Sequence, residues 1–474
     1  MLSASRYEKG AGGRAMSNAA LEPEASRVVL SGVARVGVIL AAGRSERLHR
    51  LTGGRSKLLL HLGGLPLIER AIRTLIATGC ERIEVIVGYE GDAIAAAARR
   101  VAPDRVEVVR ALDWQKGNGA SLAAAEDTLR GEERFVLVCS DHVFSPGALE
   151  GLVRARGPAV LVDPSPDSAA WHEGTRVHME GQRALAFGKS LEDPAIDCGA
   201  FVLGPAVFSS QRQGAAEGDN SLAGAVTRLA STVAVKSEPL PEGSWWQDID
   251  TPEDLRAARR LLRRSLAKST DGPVSRYLNR PVSTRLSMAL APLRPSPNLL
   301  SVVAFVFGVL AACLLAAERP LIGGILVHLH SVLDGVDGES ARLQLRTNPR
   351  GATLDNVLDR IVDAAIVAGL GWWVAYNWFS PRTILLLGAI GSAWALLAQA
   401  GKERSTVLGL PAPTERLLGY LLGGRDGRLF LVTAWAVLGH PMVALVAFSV
   451  AWVATVVIRV FLVRRLGLEP ASTT

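Results

Sequence analysis

Four aspartates constrain any fold this chain can adopt. Asp334 and Asp337 fall three residues apart and Asp355 and Asp359 four apart, each pair set into a strongly apolar segment. At those spacings each pair shares one face of a helix. Two such helices facing each other would gather four carboxylates around one small volume. Carboxylates are costly in an apolar setting, so they are kept there with partners or ligands. Hard divalent cations are the natural ones, because they take carboxylate oxygen. The spacing predicts helices with a metal site at Asp334, Asp337, Asp355 and Asp359, filled by Mg2+ (or Mn2+).

The apolar runs around this motif predict an all-α domain of six transmembrane helices. They fall at 298–317, 320–333, 361–379, 383–400, 429–439 and 442–463. The first is twenty residues without a charge, long enough to span a bilayer. The second and fifth are short and would be completed by polar residues lining a cavity. Trp372, Trp373 and Trp378 suit an interfacial belt. Alternate loops are basic: Arg342, Arg346 and Arg350, then Lys402, Arg404, Arg416, Arg425 and Arg428, then Arg464 and Arg465. The opposite loops carry only Arg319 and Arg382. The basic side faces the cytoplasm. A multi-pass protein of the inner cell membrane is expected, with the soluble domain and both sites cytoplasmic. The net charge of +7 then reads as attraction to an anionic lipid surface rather than to nucleic acid. Cys80, Cys139, Cys198 and Cys313 form no metal or disulfide pattern, which fits a reducing compartment.

The first half reads differently. Residues 1–34 are rich in Ala, Ser, Gly and charge and are expected to be a disordered leader, with Met16 a second possible start. From 35 to 265, strands and helices alternate. Val36–Leu40 is followed by A-A-G-R-S-E-R-L, a strand leading into a glycine loop. Such a loop offers backbone N–H groups to phosphate, and Arg44, Arg47 and Lys57 add positive charge. An ordinary βα turn with solvated arginines would read the same way. A helix is expected over 68–78, a strand over 82–88, a helix over 92–101, and strands over 106–109 and 135–139. That order implies a Rossmann-like, mainly parallel sheet, with ligands beyond the carboxyl ends of its strands. Asp141 sits at such an end, and Asp248 could share a magnesium ion with it. Thr251 and Pro252 read as a capped helix start.

L-A-A-G-R-S-E-R-L followed by S-K-L-L-L-H-L-G-G-L-P-L-I-E-R resembles the sugar-phosphate nucleotidyltransferase family over residues 36–262. The resemblance implies that Gly43 and Arg47 hold a triphosphate, that Lys57 contacts phosphate, and that Asp141 and Asp248 bind metal. K-G-N-G-A-S, with Asn118 and Gly119, looks like the base- and ribose-contacting loop. Lys189 and Asp197 fall where a sugar phosphate would be received. The family usually has Gly-Asp before its metal site; here Ser140-Asp141 leaves the aspartate intact. The implied chemistry is in-line attack of a phosphate oxygen on the α-phosphorus of a nucleoside triphosphate, with Arg47 and Lys57 neutralising charge.

Residues 266–296 read as a linker and a juxtamembrane amphipathic helix, in which Arg276, Arg280 and Arg285 alternate with apolar residues. Arg276, Asn279 and Arg280 could instead touch an anionic substrate. Beyond them, D-x-x-D-G-x-x-A-R-x8-G-x3-D-x3-D is matched at every fixed position, by Asp334, Asp337, Gly338, Ala341, Arg342, Gly351, Asp355 and Asp359. This resembles the CDP-alcohol phosphotransferase family over residues 272–465, with a membrane domain at 297–466 and a tail at 467–474. Gly338 and Ala341 are small enough for a flat nucleotide to approach, and Arg342 can fork onto a diphosphate. The resemblance implies metal ligation by the four aspartates, with Asp359 as general base. The bland alternative is four acids in buried ion pairs with Arg342, Arg346, Arg350 and Arg360.

The halves explain each other. The second consumes a CDP-alcohol, so the first is expected to make one from CTP. Such a fusion resembles bifunctional enzymes that join an inositol-1-phosphate cytidylyltransferase to a di-inositol-phosphate phosphate synthase. D-G-P-V-S-R-Y-L-N-R and R-D-G-R-L-F-L at 425–431, with Arg280 and Arg425 as candidate substrate contacts, look like that group. CTP and a polyol phosphate such as inositol 1-phosphate are the expected substrates, and CDP-inositol the intermediate. A homodimer through the membrane part is implied. One rival keeps both enzymes and makes the acceptor a lipid, giving a phospholipid synthase. Another makes the first half a degenerate docking module, against which stand Lys57, Asp141 and Asp248. Transport fits six spans but not a four-acid signature at one membrane face.

Overall fold

The β-branched runs of the first half form strands because each residue can bury against one face of a sheet or the other. In a computed structural model, which describes residues 34–44, 46–268, 270–346, 349–378, 417 and 424–465, nine of them make one sheet. They are Val36–Ala41 (β1), Arg82–Val87 (β2), Val106–Arg110 (β3), Phe135–Cys139 (β4), Ala159–Asp163 (β5), Arg176–Glu180 (β6), Arg183–Gly188 (β7), Ile196–Leu203 (β8) and Val235–Pro239 (β9). Their order is β3-β2-β1-β4-β8-β5-β9-β7-β6. Alternate residues of β1 enter two separate apolar clusters, Val36, Val38 and Leu40 in one and Ile39 and Ala41 in the other. The sheet is therefore covered on both faces.

The expectation of a mainly parallel sheet is corrected to a mixed one. β3, β2, β1 and β4 are parallel. β8 is antiparallel to both β4 and β5, and β7 to both β9 and β6. For β6 and β7 the cause is local. Only Gly181 and Gln182 separate β6 from β7, which leaves room for a hairpin and none for a crossover.

Helix Leu67–Ala77 (α1) lies where a helix is expected. A short helix, Asn118–Ala123 (α2), begins inside the K-G-N-G-A-S loop. Outside the main sheet, His142–Phe144 pairs antiparallel with Trp246–Asp248, with Asp248 opposite His142. Helix Pro252–Arg264 (α3) follows directly, capped by Thr251 and Asp254 in a reciprocal box.

Five long helices of the second half are described after Arg280–Leu290 (α4). They are Pro297–Ala316 (α5), Pro320–Leu343 (α6), Pro349–Trp378 (α7), Gly424–Val437 (α8) and Pro441–Arg465 (α9). Among the described residues, α5 is the one helix long and apolar enough by itself to cross a membrane. The run at 320–333 is the start of α6, which continues through Asp334 and Asp337. The run beginning at Ile361 lies inside α7, and the run at 383–400 lies outside the described residues. Ala311, Ala312 and Leu315 of α5 pack with Val362, Ile366 and Leu370 of α7, Leu429 and Val432 of α8, and Phe448 of α9.

The interfacial helix expected near Arg280 is not simply a surface element. Ser283, Thr284 and Ser287 of α4 are buried, while Tyr277 and Val282 stay exposed. A further apolar cluster joins the halves: Leu62, Leu67, Leu255, Leu262 and Leu266 from the first with Ala291 and Leu343 from the second. Polar bonds surround it. Arg70 donates to the carbonyls of Leu62 at 2.7 Å and Leu343 at 3.0 Å, and Arg294 donates to that of Gly64 at 2.8 Å.

Candidate active sites

Two adjoining cavities open at the carboxyl end of the parallel strands. One, of about 320 Å³, is lined by Gly43, Arg44, Lys57, Trp114 and Asn118. The other, of about 560 Å³, is lined by Lys189, Asp197, Asp219, Trp246 and Asp248. Asn118, Cys139 and Asp141 line both, so Asp141 stands where the contents of the two would meet. Of the sequence-predicted residues of the first half, Gly43, Lys57, Asn118, Asp141 and Asp248 line these cavities, and Lys189 and Asp197 share a wall of the larger one, whereas Arg47 and Gly119 are not among their lining residues.

Lys57 is the buried cation of this site. Its Nζ lies 2.9 Å from Asp141 Oδ2 and hydrogen-bonds Asp250 Oδ1. Burial alone would lower the ammonium, but Asp141 and Asp250 outweigh it and hold Lys57 raised. Burial works against the charge on Asp141 too, yet the Lys57 ammonium beside it keeps it below the usual carboxylate range. Asp248, desolvated and with no lysine bound to it, is pushed up to about 6. Its Oδ1 is buried with no hydrogen-bond partner, as suits an oxygen waiting for a cation. Oxygens of Asp141, Asp248 and Asp250 lie within 4.8 Å of one another, and that donor set fits a hard divalent ion.

Asp250 is the residue that reading the sequence missed. It holds Lys57 and also lies 3.4 Å from Arg47 Nη1. The signal was present: Asp248 and Asp250 are two apart, the period at which an extended strand puts side chains on one face. Arg47 itself is mostly exposed, 62% of its side chain, and reaches Glu173 as well.

The base-contacting loop is held from across the chain. Asn118 Oδ1 accepts from the Leu222 N–H at 2.8 Å, and the Gly119 N–H donates to the Asn220 carbonyl at 2.9 Å. A Cβ on Gly119 would lie 2.7 Å from that carbonyl oxygen, so the approach requires glycine. Residues 219–221 are in turn fixed by Asp219, which accepts from Ser221 N–H, Ser221 Oγ and Arg228 Nη1.

The second site lies between α6 and α7. Asp355 stands beside Asp337, and Asp359 beside Asp334. Arg425, expected as a substrate contact, sits inside this group. Its Nη1 is 3.0 Å from Asp334 Oδ2 and 3.1 Å from Asp359 Oδ1, and its Nε is 3.1 Å from Asp363 Oδ1. His330 and Asp363 are further members not singled out from the sequence. His330 Nδ1 donates to the Ala304 carbonyl at 2.8 Å, so its Nε2 accepts from Arg425 Nη2 at 3.0 Å. His330, Asp334 and Asp359 offer atoms within 4.8 Å of one another. Ser301 donates to Asp337. With His330 taken up by Ala304 and Arg425, it is the aspartate oxygens of this group that fit a divalent ion.

Gly338 leaves space on α6, where a Cβ would lie 3.3 Å from Arg342 Nη1. Ala341 follows one turn later. Arg280, expected as a substrate contact, is occupied within the protein. It hydrogen-bonds Asp271 twice and Glu339 Oε1 at 2.6 Å. Ser283 and Ser287 also donate to Glu339, which is fully buried. A guanidinium neutralised by two carboxylates is a structural tie first.

Residues 37–216 match the MobA-like NTP transferase domain family, and residues 295–458 the CDP-alcohol phosphatidyltransferase family. The chain is 38% identical over 415 residues to the bifunctional IPC transferase and DIPP synthase of Rubrobacter xylanophilus, covering 86% of this chain and 92% of that protein. It is 33% identical over 434 residues to the Aquifex aeolicus protein of the same name, covering 90% and 97%. The phosphatidylinositol phosphate synthase of Mycobacteroides abscessus is 32% identical over 158 residues, 32% of this chain and 72% of that protein.

Proposed function

The chain belongs to the family of bifunctional IPC transferases and DIPP synthases, and from that premise we propose how its two sites share the work. It is a nucleotidyltransferase joined to a CDP-alcohol phosphotransferase. The first half converts CTP and inositol 1-phosphate to CDP-inositol and diphosphate. The second joins CDP-inositol to a second inositol 1-phosphate, giving di-inositol-phosphate phosphate and CMP. The observation that carries this reading is the continuous match, across both halves, to relatives named for both activities.

At the first site, Gly43, Arg47 and Lys57 bind the triphosphate, and Asn118 and Gly119 hold the base and ribose. Lys189 and Asp197 receive the sugar phosphate in the larger cavity. Asp141 and Asp248 would hold Mg2+ (or Mn2+), and Asp250 keeps Lys57 aimed at the phosphates. The attacking phosphate oxygen approaches across Asp141, where the cavities join. At the second site, Asp334, Asp337, Asp355 and Asp359 would hold the cations, Arg342 binds the diphosphate against Gly338 and Ala341, and Asp359 takes the proton of the attacking hydroxyl. Arg425 neutralises charge within the aspartate group, and Arg280, tied to Asp271 and Glu339, holds α4 against α6 beside it. Bound cations would supply charge neutralisation at the phosphates in both sites.

The domain assignment proposed is a nucleotidyltransferase unit at 35–265, a linker and juxtamembrane amphipathic helix at 266–296 and a membrane unit at 297–466. Support for bilayer residence comes from α5, whose Leu299, Val302, Val306 and Leu310 face outward. Six spans, an inner-membrane location, both sites cytoplasmic, and a homodimer through the membrane unit complete the proposal.

The test is product identification. Purified chain with CTP, Mg2+ and inositol 1-phosphate should yield CDP-inositol, then CMP and a di-inositol product, by mass spectrometry. Absence of CDP-inositol would sink the reading. The likeness to a phosphatidylinositol phosphate synthase favours a second reading, in which the acceptor is a lipid. Label from CDP-[³H]inositol that partitions into chloroform would select it.

A further inference from the structure

His142 follows the metal-binding aspartate Asp141, and the reaction described so far gives it no task. Its position is set by several contacts. Nδ1 lies 2.8 Å from the Cys198 carbonyl oxygen, which can only accept, so Nδ1 carries a hydrogen. Trp246 stacks on the ring at 5.4 Å and 13°. Gly199 closes in on the ring with φ of 70°, and a Cβ there would fall 2.6 Å from Nδ1. The ring can neither flip nor swing away.

With Nδ1 fixed as the donor, the neutral ring presents a lone pair at Nε2. That atom lies 3.9 Å from Asp141 Oδ1 and 3.9 Å from Asp248 Oδ2. Both separations are too long for hydrogen bonds. They match donors that share one cation, since ligands each about 2.1 Å from an ion stand about 3.0–4.2 Å apart. The ribbon register places His142 opposite Asp248, and the chain places it next to Asp141. Of the other carboxylates nearby, Asp250 pairs with Lys57 and Asp197 accepts from the Gly199 N–H. A histidine that ligates metal characteristically gives its second N–H to a backbone carbonyl, as His142 does to Cys198.

We propose that His142 is a third protein ligand, through Nε2, of the divalent cation held by Asp141 and Asp248. This rests on the reading that those two aspartates form the first metal site. An imidazole beside two carboxylates moves a site's preference from Mg2+ toward Mn2+ and Co2+.

Mn2+ alone tests it, with the full chain carrying D355N and D359N so that the second site does not take the ion. Pulsed electron paramagnetic resonance should show nitrogen coupling to the bound Mn2+. His142→Asn should remove that coupling and weaken Mn2+ binding about tenfold or more, with a smaller loss for Mg2+. Histidine labelled with ¹⁵N should change the coupling pattern with no substitution at His142, which covers a variant that fails to fold. Tight Mn2+ binding without nitrogen coupling, or coupling that persists in H142N, overturns the proposal and leaves the two-aspartate site standing. Mn2+ binding unchanged by Asp141→Asn would remove that site and the proposal with it.

Discussion

Arg342 Nη2 donates to the backbone carbonyl of Leu266 at 2.9 Å. Arg342 belongs to the signature of the second site. Leu266 lies two residues past α3, and α3 begins two residues after Asp250. One helix of thirteen residues, about 20 Å long, therefore runs from the aspartates proposed to hold the first site's cation to the arginine proposed to bind the diphosphate in the second.

That path depends on how the halves are seated. Leu343, next to Arg342, is 1% exposed and belongs to the cluster between them. Leu343→Ala should destabilise the chain by about 2–5 kcal/mol. It should slow CMP release about ten- to a hundredfold by shifting Arg342, with a much smaller effect on diphosphate release. Thermal melting in detergent and separate assays of each step check both.

Lys57→Met keeps the bulk of the side chain and removes its charge. Asp141 and Asp250 then face each other with no cation between them. Diphosphate release should fall about 10²–10³-fold. Supplied CDP-inositol should still be converted at the wild-type rate, and its loss would show that the defect is not local.

Asp359→Asn should reverse that pattern. CDP-inositol should accumulate and CMP formation drop at least about 10²-fold. A time course of nucleotides by liquid chromatography distinguishes this from failure of the first step.

Acid sensitivity should trace partly to Asp219. Hydrogen bonds from Arg228 and from Ser221 hold its carboxyl at about 2, below the ordinary 3.8. A depressed carboxylate contributes stability above its unfolded value, and loses it as pH falls through the folded one. The contribution should be complete above about pH 5 and gone by about pH 1. Asp219→Asn should flatten the acid limb of the melting temperature in that window, and because residues 219–221 brace the Asn118 loop, it should also raise KM for CTP.

Much of the first site could be read from local sequence. The run Phe135–Cys139 ends at Asp141, and Thr251-Pro252 starts a capped helix, both decided within a few residues. The role of Asp250 could not be read so, because its partner Lys57 lies 193 residues away. Neither could the antiparallel placing of β8, whose partners β4 and β5 lie tens of residues away in the chain. Arg280 misled for the same reason. On paper it is one of a row of exposed arginines, and only folding brings it to Glu339, 59 residues on. Periodicity located the four aspartates and extends to Asp363, one further turn along α7 from Asp359, but Arg425 joins them only through packing of α8 against α6 and α7.

The apolar cluster between the halves also limits how such a chain can arise or be taken apart. Cutting at the linker would not release two finished proteins. Each piece would carry a raw apolar face, with Leu262 and Leu266 bared on one and Ala291 and Leu343 on the other. A gene fission at this point would survive only where the two products were made together and found each other again.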